Sequence, residues 1–372
     1  MKKLLLVALT LSSALLLSAC GGSDDTVRLG VIGPLTGDYS MYGVSVRNGA
    51  QLAVDELNAD GGILGLDVEL IAYDSKGDAV EGVNAYNRLL DQDEIHALIG
   101  ATFSGVTLAI KELAITDGLP ILTPTATHPD VTLDAPNIFR ACYTDSYQGS
   151  VAAVFVDETL EANTVAVLYN RDDAYSEGLA IAFTVEAELR GLTVLEYTFG
   201  GQEDDYNVVL TSIDASAAEV VFLPGYVAEV GAILTQANDL GIDIPFVGGD
   251  GWDSIEMDYA AVAEGNYFLN HYAKTDESAI VQDFVNNYTA EFGESPSALA
   301  ALAYDAVYAM ALAMENAGSL DFDEVVAALT NINLEVAVTG SIIFDADGNP
   351  IKSVTIIQIV DGQHVVVAKI EG

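Results

Sequence analysis

Two six-residue runs decide the fold, VAVLYN at residues 165–170 and EVVFLP at residues 219–224. Both runs are apolar and lack the alternation of a strand with one face in water, as expected for parallel strands that are covered on both faces. Helix-like amphipathic segments separate runs of this kind along most of the chain. The pattern therefore predicts an α/β fold.

Strand-like and helix-like segments alternate in two consecutive series. The first series predicts strands at 27–33, 67–73, 96–100 and 120–123, and helices at 42–59, 79–91 and 104–116. The second begins with a helix after about residue 148, then strands at 164–169, 193–199, 219–223 and 245–247 and helices at 175–190, 207–215 and 227–240. Helices near 277–292, 296–317 and 321–331 follow, then strands near 341–344, 354–360 and 364–370. Two such series predict two doubly wound, Rossmann-like lobes.

The N-terminus has the layout of an export signal. Lys2 and Lys3 precede an uncharged, leucine-rich segment at residues 4–19, and Cys20 follows. This arrangement predicts a signal peptide at 1–19, and it resembles a bacterial lipobox, which implies a lipid-modified Cys20 and a tether at 20–26. The alternative is an ordinary signal peptide with Cys20 as an incidental thiol. We expect an extracytoplasmic protein, held at a membrane by the lipid on Cys20.

The charge of the chain restricts its partners. There are 56 acidic residues against 13 Lys and Arg, a formal net charge of −43. Nucleic acid is a poor partner for such a field. The acids are spread among periodic apolar residues, so they do not form a disordered tail. Self-repulsion of this size is tolerable in concentrated salt, where the Debye length falls to roughly 3 Å, and a saline habitat is therefore our hypothesis.

The cysteine content and the hydropathy of the chain bear on a disulfide and on a membrane span. Beyond Cys20 the chain has only Cys142, so an internal disulfide is excluded and stability must come from packing. The apolar stretch 297–314 contains one charge, Asp305, and approaches the length of a membrane span. It is rich in alanine and ends at Gly318, which favours a buried helix of a folded domain.

Catalytic and cofactor motifs do not fit the chain. Residues 30–37 form a glycine-containing loop after a strand, but they lack the spacing of a dinucleotide motif and contain Pro34. The four histidines, 96, 128, 271 and 364, have no metal-ligand spacing. We therefore predict that the chain is not an enzyme and needs neither a metal nor a cofactor.

Polar and aromatic side chains follow the predicted strands. In open parallel sheets, ligands bind beyond the carboxyl ends of the strands. Eight residues lie at such positions: Tyr42, Ser104, Thr125, Thr127, Tyr175, Tyr226, Asp250 and Trp252. A helix N-terminus with a serine suits a carboxylate, an aspartate suits an ammonium group, and aromatic rings suit an apolar remainder. The alternatives are a helix cap at Ser104, turn-forming threonines and tyrosines at the edge of the core.

Several motifs resemble the periplasmic leucine/isoleucine/valine-binding proteins of ABC transporters. They are GPLTGDYSMYG at 33–43, RNG at 47–49, DGGILG at 60–65, TPTAT at 123–127, Arg140 with Gln148-Gly149, GGDG at 248–251 and ALAYDA at 301–306. The resemblance runs from about Val27 to the C-terminus. It implies a type I clamshell with three crossovers, near Tyr143, Lys274 and Asn349. Lobe 1 would be 27–143 plus 274–349, and lobe 2 would be 144–273 plus 350–372.

The resemblance also implies roles for seven of the eight residues, all except Trp252. Ser104, Thr125 and Thr127 would hold the carboxylate and part of the ammonium group of an amino acid. Asp250 would pair with the ammonium, and Tyr42 would border the side-chain pocket. Tyr175 and Tyr226 would come from the opposing lobe.

Three departures from the family pattern bear on the ligand. Gly77 and Phe103 stand where some members have a disulfide, and Asp250 is often glutamate. The large Trp252 is an addition near the pocket. These changes affect the identity of the amino acid more than the class of ligand.

The sequence as a whole predicts a monomeric, lipid-anchored solute-binding protein. It would deliver an amino acid, branched-chain or otherwise apolar, to the permease of an ABC importer. Two alternatives remain open at this point. One is a binding protein for a short amide or urea-like solute, and the other is a ligand-sensing subunit of a signalling receptor.

Overall fold

The computed structural model describes residues 26–201 and 203–371. The predicted signal peptide and Cys20 lie outside the described residues. Within the described part, the chain forms two β-sheets, of five and seven strands, with helices packed against them.

The first sheet is entirely parallel. Its strands are β1 (Thr26–Gly33), β2 (Asp67–Asp74), β3 (Ala97–Gly100), β4 (Ile121–Thr123) and β5 (Ile138–Arg140), in the order β2-β1-β3-β4-β5. Three helices connect them: α1 (Ser40–Ala59), α2 (Ala79–Asp91) and α3 (Ser104–Asp117). The strands β3 and β4 are buried along their whole length, which explains their unbroken apolar character.

The second sheet has a parallel part and an antiparallel edge. Its strands are β6 (Thr164–Asn170), β7 (Thr193–Phe199), β8 (Val220–Phe222), β9 (Phe246–Gly248), β10 (Tyr267–Asn270), β11 (Val354–Val360) and β12 (Gln363–Ile370). The order is β12-β11-β10-β9-β8-β6-β7, with β11 and β12 antiparallel to their neighbours. Its helices are α4 (Asp145–Glu158), α5 (Ala174–Arg190), α6 (Asn207–Asp214), α7 (Val227–Leu240) and α8 (Glu256–Ala263).

Three further helices bring the chain back to the first sheet. They are α9 (Ala279–Phe292), α10 (Ala298–Ala317) and α11 (Phe322–Thr330). Helix α10 packs against α1, β3 and β4, and α11 packs against α10. The chain therefore passes between the lobes three times, after β5, after β10 and before β11, as predicted. The crossover residues 143, 274 and 349 remain predictions.

Helix α10 is the apolar stretch that approaches the length of a membrane span. Among the described residues, it alone has the length and hydropathy of a span, and most of it is buried inside the protein. A side chain at Gly49 of α1 would collide with the carbonyl of Ala300, so the glycine allows the two helices to pack closely. The one charge in the stretch, Asp305, accepts hydrogen bonds from the amides of Val338 and Thr339. The prediction of a buried helix is correct.

Some predicted elements were wrong or missing. Residues 341–344 do not form a strand, because Ile342 and Phe344 make only isolated bridges to other segments. The strands β5 and β10 and the helix α8 were missed. Strand β5 has three residues and includes the buried Arg140, a residue type that does not suggest a core strand.

Candidate ligand-binding site

Loops from both sheets surround one small cavity of about 20 Å³. The first lobe contributes Tyr42, Thr102, Phe103, Ser104, Thr125 and Leu299. The second lobe contributes Tyr175, Tyr226, Asp250 and Gly251. Each of the strands β1, β3, β4, β6, β8 and β9 is followed by a segment that supplies at least one of these residues. The cavity therefore lies beyond the carboxyl ends of both sheets, where the rule for parallel sheets places a ligand.

Six of the eight predicted site residues line this cavity, and two do not. Trp252 is fully buried in the second lobe, where its indole Nε1 donates to the carbonyl of Leu223 at 2.9 Å. Thr127 is also buried, and its hydroxyl lies beside the carboxyl group of Asp145. Burial raises the pKa of Asp145 well above its usual range. Ligand contact by any of the eight residues remains a prediction.

The threonine loop after β4 is tied to the end of β3. The hydroxyl of Thr123 donates to the carbonyl of Ala101 at 2.8 Å, and the hydroxyl of Thr125 donates to the carbonyl of Thr102 at 2.6 Å. The amide of His128 donates to the hydroxyl oxygen of Ser104 at 3.3 Å. Ser104 is the first residue of α3, so the positive end of the helix dipole faces this loop. The result is a rigid cradle beside a helix N-terminus, suited to an anion.

A buried arginine donates hydrogen bonds to the backbone of the cradle loop. The guanidinium of Arg140 donates to the carbonyls of Ala126 and His128, both at 2.9 Å, and to the hydroxyl of Thr132 at 3.1 Å. Arg140 is fully buried, and burial lowers its pKa. Arg140 belongs to one of the motifs that resemble the family, and the motif alone indicates no role for it. Its structural role is to supply hydrogen bonds to carbonyls that would otherwise be buried without a donor.

The carboxylate of Asp250 is oriented by three neighbours. Its Oδ1 accepts hydrogen bonds from Gln148 Nε2 and from the hydroxyl of Tyr175, both at 2.9 Å. Its Oδ2 lies 3.0 Å from His271 Nε2. The ring of His271 stacks on Tyr143 with a centroid separation of 3.7 Å. Gln148 and His271 come from α4 and from the segment after β10, and sequence reasoning missed both roles.

Aromatic rings form the remaining wall. Phe103 stacks on Tyr226 with ring centroids 4.5 Å apart, and its edge meets Tyr42 and Tyr39. The ring of Phe103 also lies over Gly77, about 3.3 Å from the position of a Cβ atom there. The two residues that replace the family disulfide therefore pack against each other. Phe103 also lines the cavity.

The two lobes touch across the cleft. The hydroxyl of Tyr42, on α1 of the first lobe, donates to the carbonyl of Gly251 and accepts from the amide of Val227, each at 2.7 Å. Both partners belong to the second lobe. The structure is therefore a closed arrangement, in which both lobes line the cavity.

The fold and the cleft together define a class of protein. Two α/β lobes with three crossovers close over a cavity that has an anion cradle on one side and an oriented carboxylate on the other. These are the features of a two-lobed solute-binding protein. The chain belongs to the periplasmic binding protein family, whose model matches residues 26–363. Members of this family are binding proteins rather than enzymes, which agrees with the prediction from the sequence.

Individual relatives cover most of the chain. The Leu/Ile/Val-binding protein BraC3 of Rhizobium johnstonii is 34% identical over 335 residues, which are 88% of this chain and 89% of that protein. A leucine-, isoleucine-, valine-, threonine- and alanine-binding protein of Pseudomonas aeruginosa is 29% identical over 87% of both chains. The similarity extends through both lobes and confirms the family that the sequence motifs indicated.

Solved structures agree with the fold. The leucine-binding protein LivK from Thermotoga maritima superposes with a TM-score of 0.88 at 31% identity, covering 93% of this chain and 99% of that one. The branched-chain amino acid transporter substrate-binding protein LivJ from Streptococcus pneumoniae, in complex with isoleucine, gives a TM-score of 0.86 at 33% identity with the same coverage. The predicted type I clamshell is confirmed.

Proposed function

We propose that the protein captures an α-amino acid with a small aliphatic side chain outside the cytoplasm and delivers it to an ABC importer. The observation that carries the proposal is the pairing of an anion cradle at Ser104 with the oriented carboxylate of Asp250 across one small cavity. A zwitterion presents one charge to each side. A urea-like solute has no positive charge to place against Asp250 and would make less use of this oriented carboxylate.

The ammonium group of the ligand has a defined place. A carboxylate can accept about four hydrogen bonds, and Asp250 makes three contacts, to Gln148, Tyr175 and His271. The remaining lone pair is available to an ammonium group. Because the three contacts hold the carboxylate in one orientation, little side-chain entropy would be lost when the ligand binds.

The carboxylate of the ligand would lie at the start of α3. There the hydroxyl of Ser104 and the free backbone amides of the first turn can donate to an anion. Thr125 lines the cavity and would add a further polar contact, as expected, whereas Thr127 lies outside the cavity lining. The hydrogen bonds of Arg140 keep the backbone of this loop in place.

The position of Phe103 favours small ligands. Phe103 lines the cavity and stacks on Tyr226, which favours an alanine- or valine-sized side chain over that of leucine or phenylalanine. The name of the Pseudomonas aeruginosa relative includes alanine, threonine and valine, together with leucine and isoleucine. The sequence predicts a branched-chain or other apolar amino acid, and the lining of the cavity narrows this ligand class to members with a small side chain.

Calorimetric titration tests the proposed ligand. The chain from residue 21 onward would be unfolded, freed of carried-over ligand, refolded in high salt and titrated with the twenty amino acids, urea and short amides. We expect the strongest binding for alanine or valine. Heat from urea or an amide alone would replace the proposed ligand class with the alternative one.

Membrane attachment and delivery need a separate test. We propose that Cys20 carries the lipid, which would hold the protein close to its permease. The full-length protein should enter the membrane fraction and incorporate labelled palmitate, and Cys20→Ser should abolish the labelling. Equal labelling of the variant would contradict the anchor. Loss of amino-acid uptake on deletion of the gene, restored by its return, would support import over a signalling role.

A further inference from the structure

The first turn of α7, in the second lobe, makes several contacts with the first lobe. Helix α7 begins at Val227, and the amide of Val227 donates to the hydroxyl of Tyr42 at 2.7 Å. A side chain of one lobe thus caps a helix of the other lobe. Phe103 adds a stacking contact with Tyr226, the residue before the helix. When the lobes separate, these contacts are lost together.

Glu229 belongs to the same turn and makes two contacts. Its Oε1 accepts a hydrogen bond from the amide of Tyr226 at 3.0 Å, within its own lobe. Its Oε2 accepts from the hydroxyl of Tyr39 of the first lobe at 3.4 Å. Only 9% of Glu229 is exposed in the closed arrangement. We call Tyr39, Tyr42, Tyr226, Val227 and Glu229 the α7 latch.

The surroundings of Glu229 disfavour a negative charge. The titratable groups that face it are Asp173 at the start of α5, Tyr39 and Tyr42 of α1, Tyr206 at the start of α6, and Tyr226. Burial, with the charge of Asp173, raises the pKa of Glu229 to about 7. Part of this burial comes from the first lobe, through Tyr39. Opening the lobes would therefore admit water to the carboxyl group.

We infer that Glu229 is a positioning residue that makes lobe closure, and with it ligand capture, sensitive to pH. With a protonated carboxyl group, the α7 latch closes without burying a charge. When the carboxyl group is ionised, closure must remove a carboxylate from water beside Asp173. The equilibrium then shifts towards the open arrangement. The effect on ligand affinity rests on the proposed function, whereas the effect on closure does not.

The direction of the pH effect follows from linkage. The closed arrangement holds the pKa of Glu229 near 7, above the ordinary value of 4.5 that an opened, hydrated carboxyl approaches. Between these values, the closed form binds more protons than the open form. Closure is thus strongest below this window, weakens by at most about tenfold per pH unit through it, and levels off above about 7.

Titration of the protein with valine at several pH values tests the inference. From about pH 5 to about pH 8, at constant salt, the wild-type affinity should fall by about tenfold or more. Calorimetry near pH 6 in two buffers of different ionisation enthalpy should show proton uptake on binding. Glu229→Gln should remove most of both effects, because the amide does not titrate. Asp173→Asn, at the neighbouring acid whose own pKa burial raises to about 6, should leave the larger part of both effects in place. Glu188→Gln, a matched change at an exposed residue of α5, should behave like the wild type.

Two outcomes would overturn the inference. One is a wild-type affinity that does not change with pH, and the other is a Glu229→Gln variant with the pH dependence of the wild type, which would assign the effect to another group. If no amino acid binds at any pH, the proposed ligand fails, and small-angle scattering still tests the latch. The ligand-free wild type should then be more extended at high pH than at low pH, and Glu229→Gln should not change. Equal dimensions of the wild type at both pH values would overturn the latch itself.

Discussion

Glu229 and Glu256 are two largely buried glutamates of the same lobe with opposite titration behaviour. Burial raises the pKa of Glu229 to about 7. Glu256 is also desolvated, yet hydrogen bonds and charges from His364 and Lys274 lower its pKa to about 2. Glu256 Oε1 accepts from Lys274 Nζ at 3.0 Å, and its Oε2 lies 2.8 Å from His364 Nε2. Burial dominates at Glu229, whereas the partners His364 and Lys274 outweigh burial at Glu256.

The two glutamates titrate differently because their partners lie in different parts of the molecule. Glu256 joins the start of α8 to Lys274, in the segment after β10, and to His364 of β12, and it keeps its partners within the second lobe and this segment. Glu229 faces the cleft, where its partner Tyr39 belongs to the other lobe. A paired carboxylate stabilises a fixed junction. A carboxyl group that lacks a cationic partner responds to the separation of the lobes.

The largest effect is expected at Asp250, which lies in the cleft and has its own partners. Asp250→Ala should weaken valine binding by about 3 kcal/mol or more, because the ammonium group would be buried without an opposite charge. Titration calorimetry measures the change, and Asp258→Ala, at an exposed residue of α8, is the control. An affinity within twofold of the wild type would remove Asp250 from the site.

The second effect tests the junction itself. Glu256→Gln should lower the free energy of unfolding by about 2 kcal/mol at neutral pH, a value reduced for partial exposure. Because the folded pKa is depressed, the stabilisation by Glu256 is present above 4.5 and is lost as the pH falls towards 2. Urea unfolding at neutral pH and at about pH 3 should therefore show a smaller difference between variant and wild type in acid.

Glu229→Gln is the matched change for this second prediction. At neutral pH it removes a carboxylate that has no cationic partner among its contacts, so the unfolding free energy should stay the same or rise. Equal destabilisation by both substitutions would contradict the contrast between the two glutamates.

A smaller effect concerns the choice of ligand. Phe103→Val should improve leucine binding relative to valine binding by about tenfold, because one methylene in an apolar pocket is worth about 1–3 kcal/mol. The ratio of the two affinities is the measured quantity, so a general loss of stability would not imitate the result. An unchanged ratio would show that another residue sets the size limit.

Much of the fold could be predicted because the decisive signals are local. The unbroken apolar runs at β6 and β8 show strands covered on both sides, and turn residues separate them from the helices. Residues 341–344 failed because a short apolar run does not reveal whether a neighbouring strand exists to pair with it. Strand β5 was missed because its Arg140 is a core residue only through carbonyls of a loop that precedes it.

Site residues could be predicted where they directly follow a predicted strand, as Ser104 and Asp250 do. The supporting partners could not, since Gln148 reaches Asp250 across 102 positions in the sequence and Tyr39 reaches Glu229 across 190. Trp252 illustrates the opposite error. It follows Asp250 by two residues, but the turn directs its ring into the core below Gly248.

The smallest expected effect distinguishes the contribution of Tyr39 to the α7 latch from that of Tyr42. Tyr39→Phe removes one hydrogen bond of 3.4 Å to Glu229, and a long bond at a partly exposed position is worth about 0.5 kcal/mol. Valine affinity at neutral pH should therefore fall by about twofold, whereas Tyr42→Phe, which loses two bonds of 2.7 Å, should cost more. The pH dependence should survive in Tyr39→Phe, because the ring still covers the carboxyl group of Glu229. Loss of that dependence would show that the phenol hydroxyl, rather than desolvation, sets the titration of Glu229.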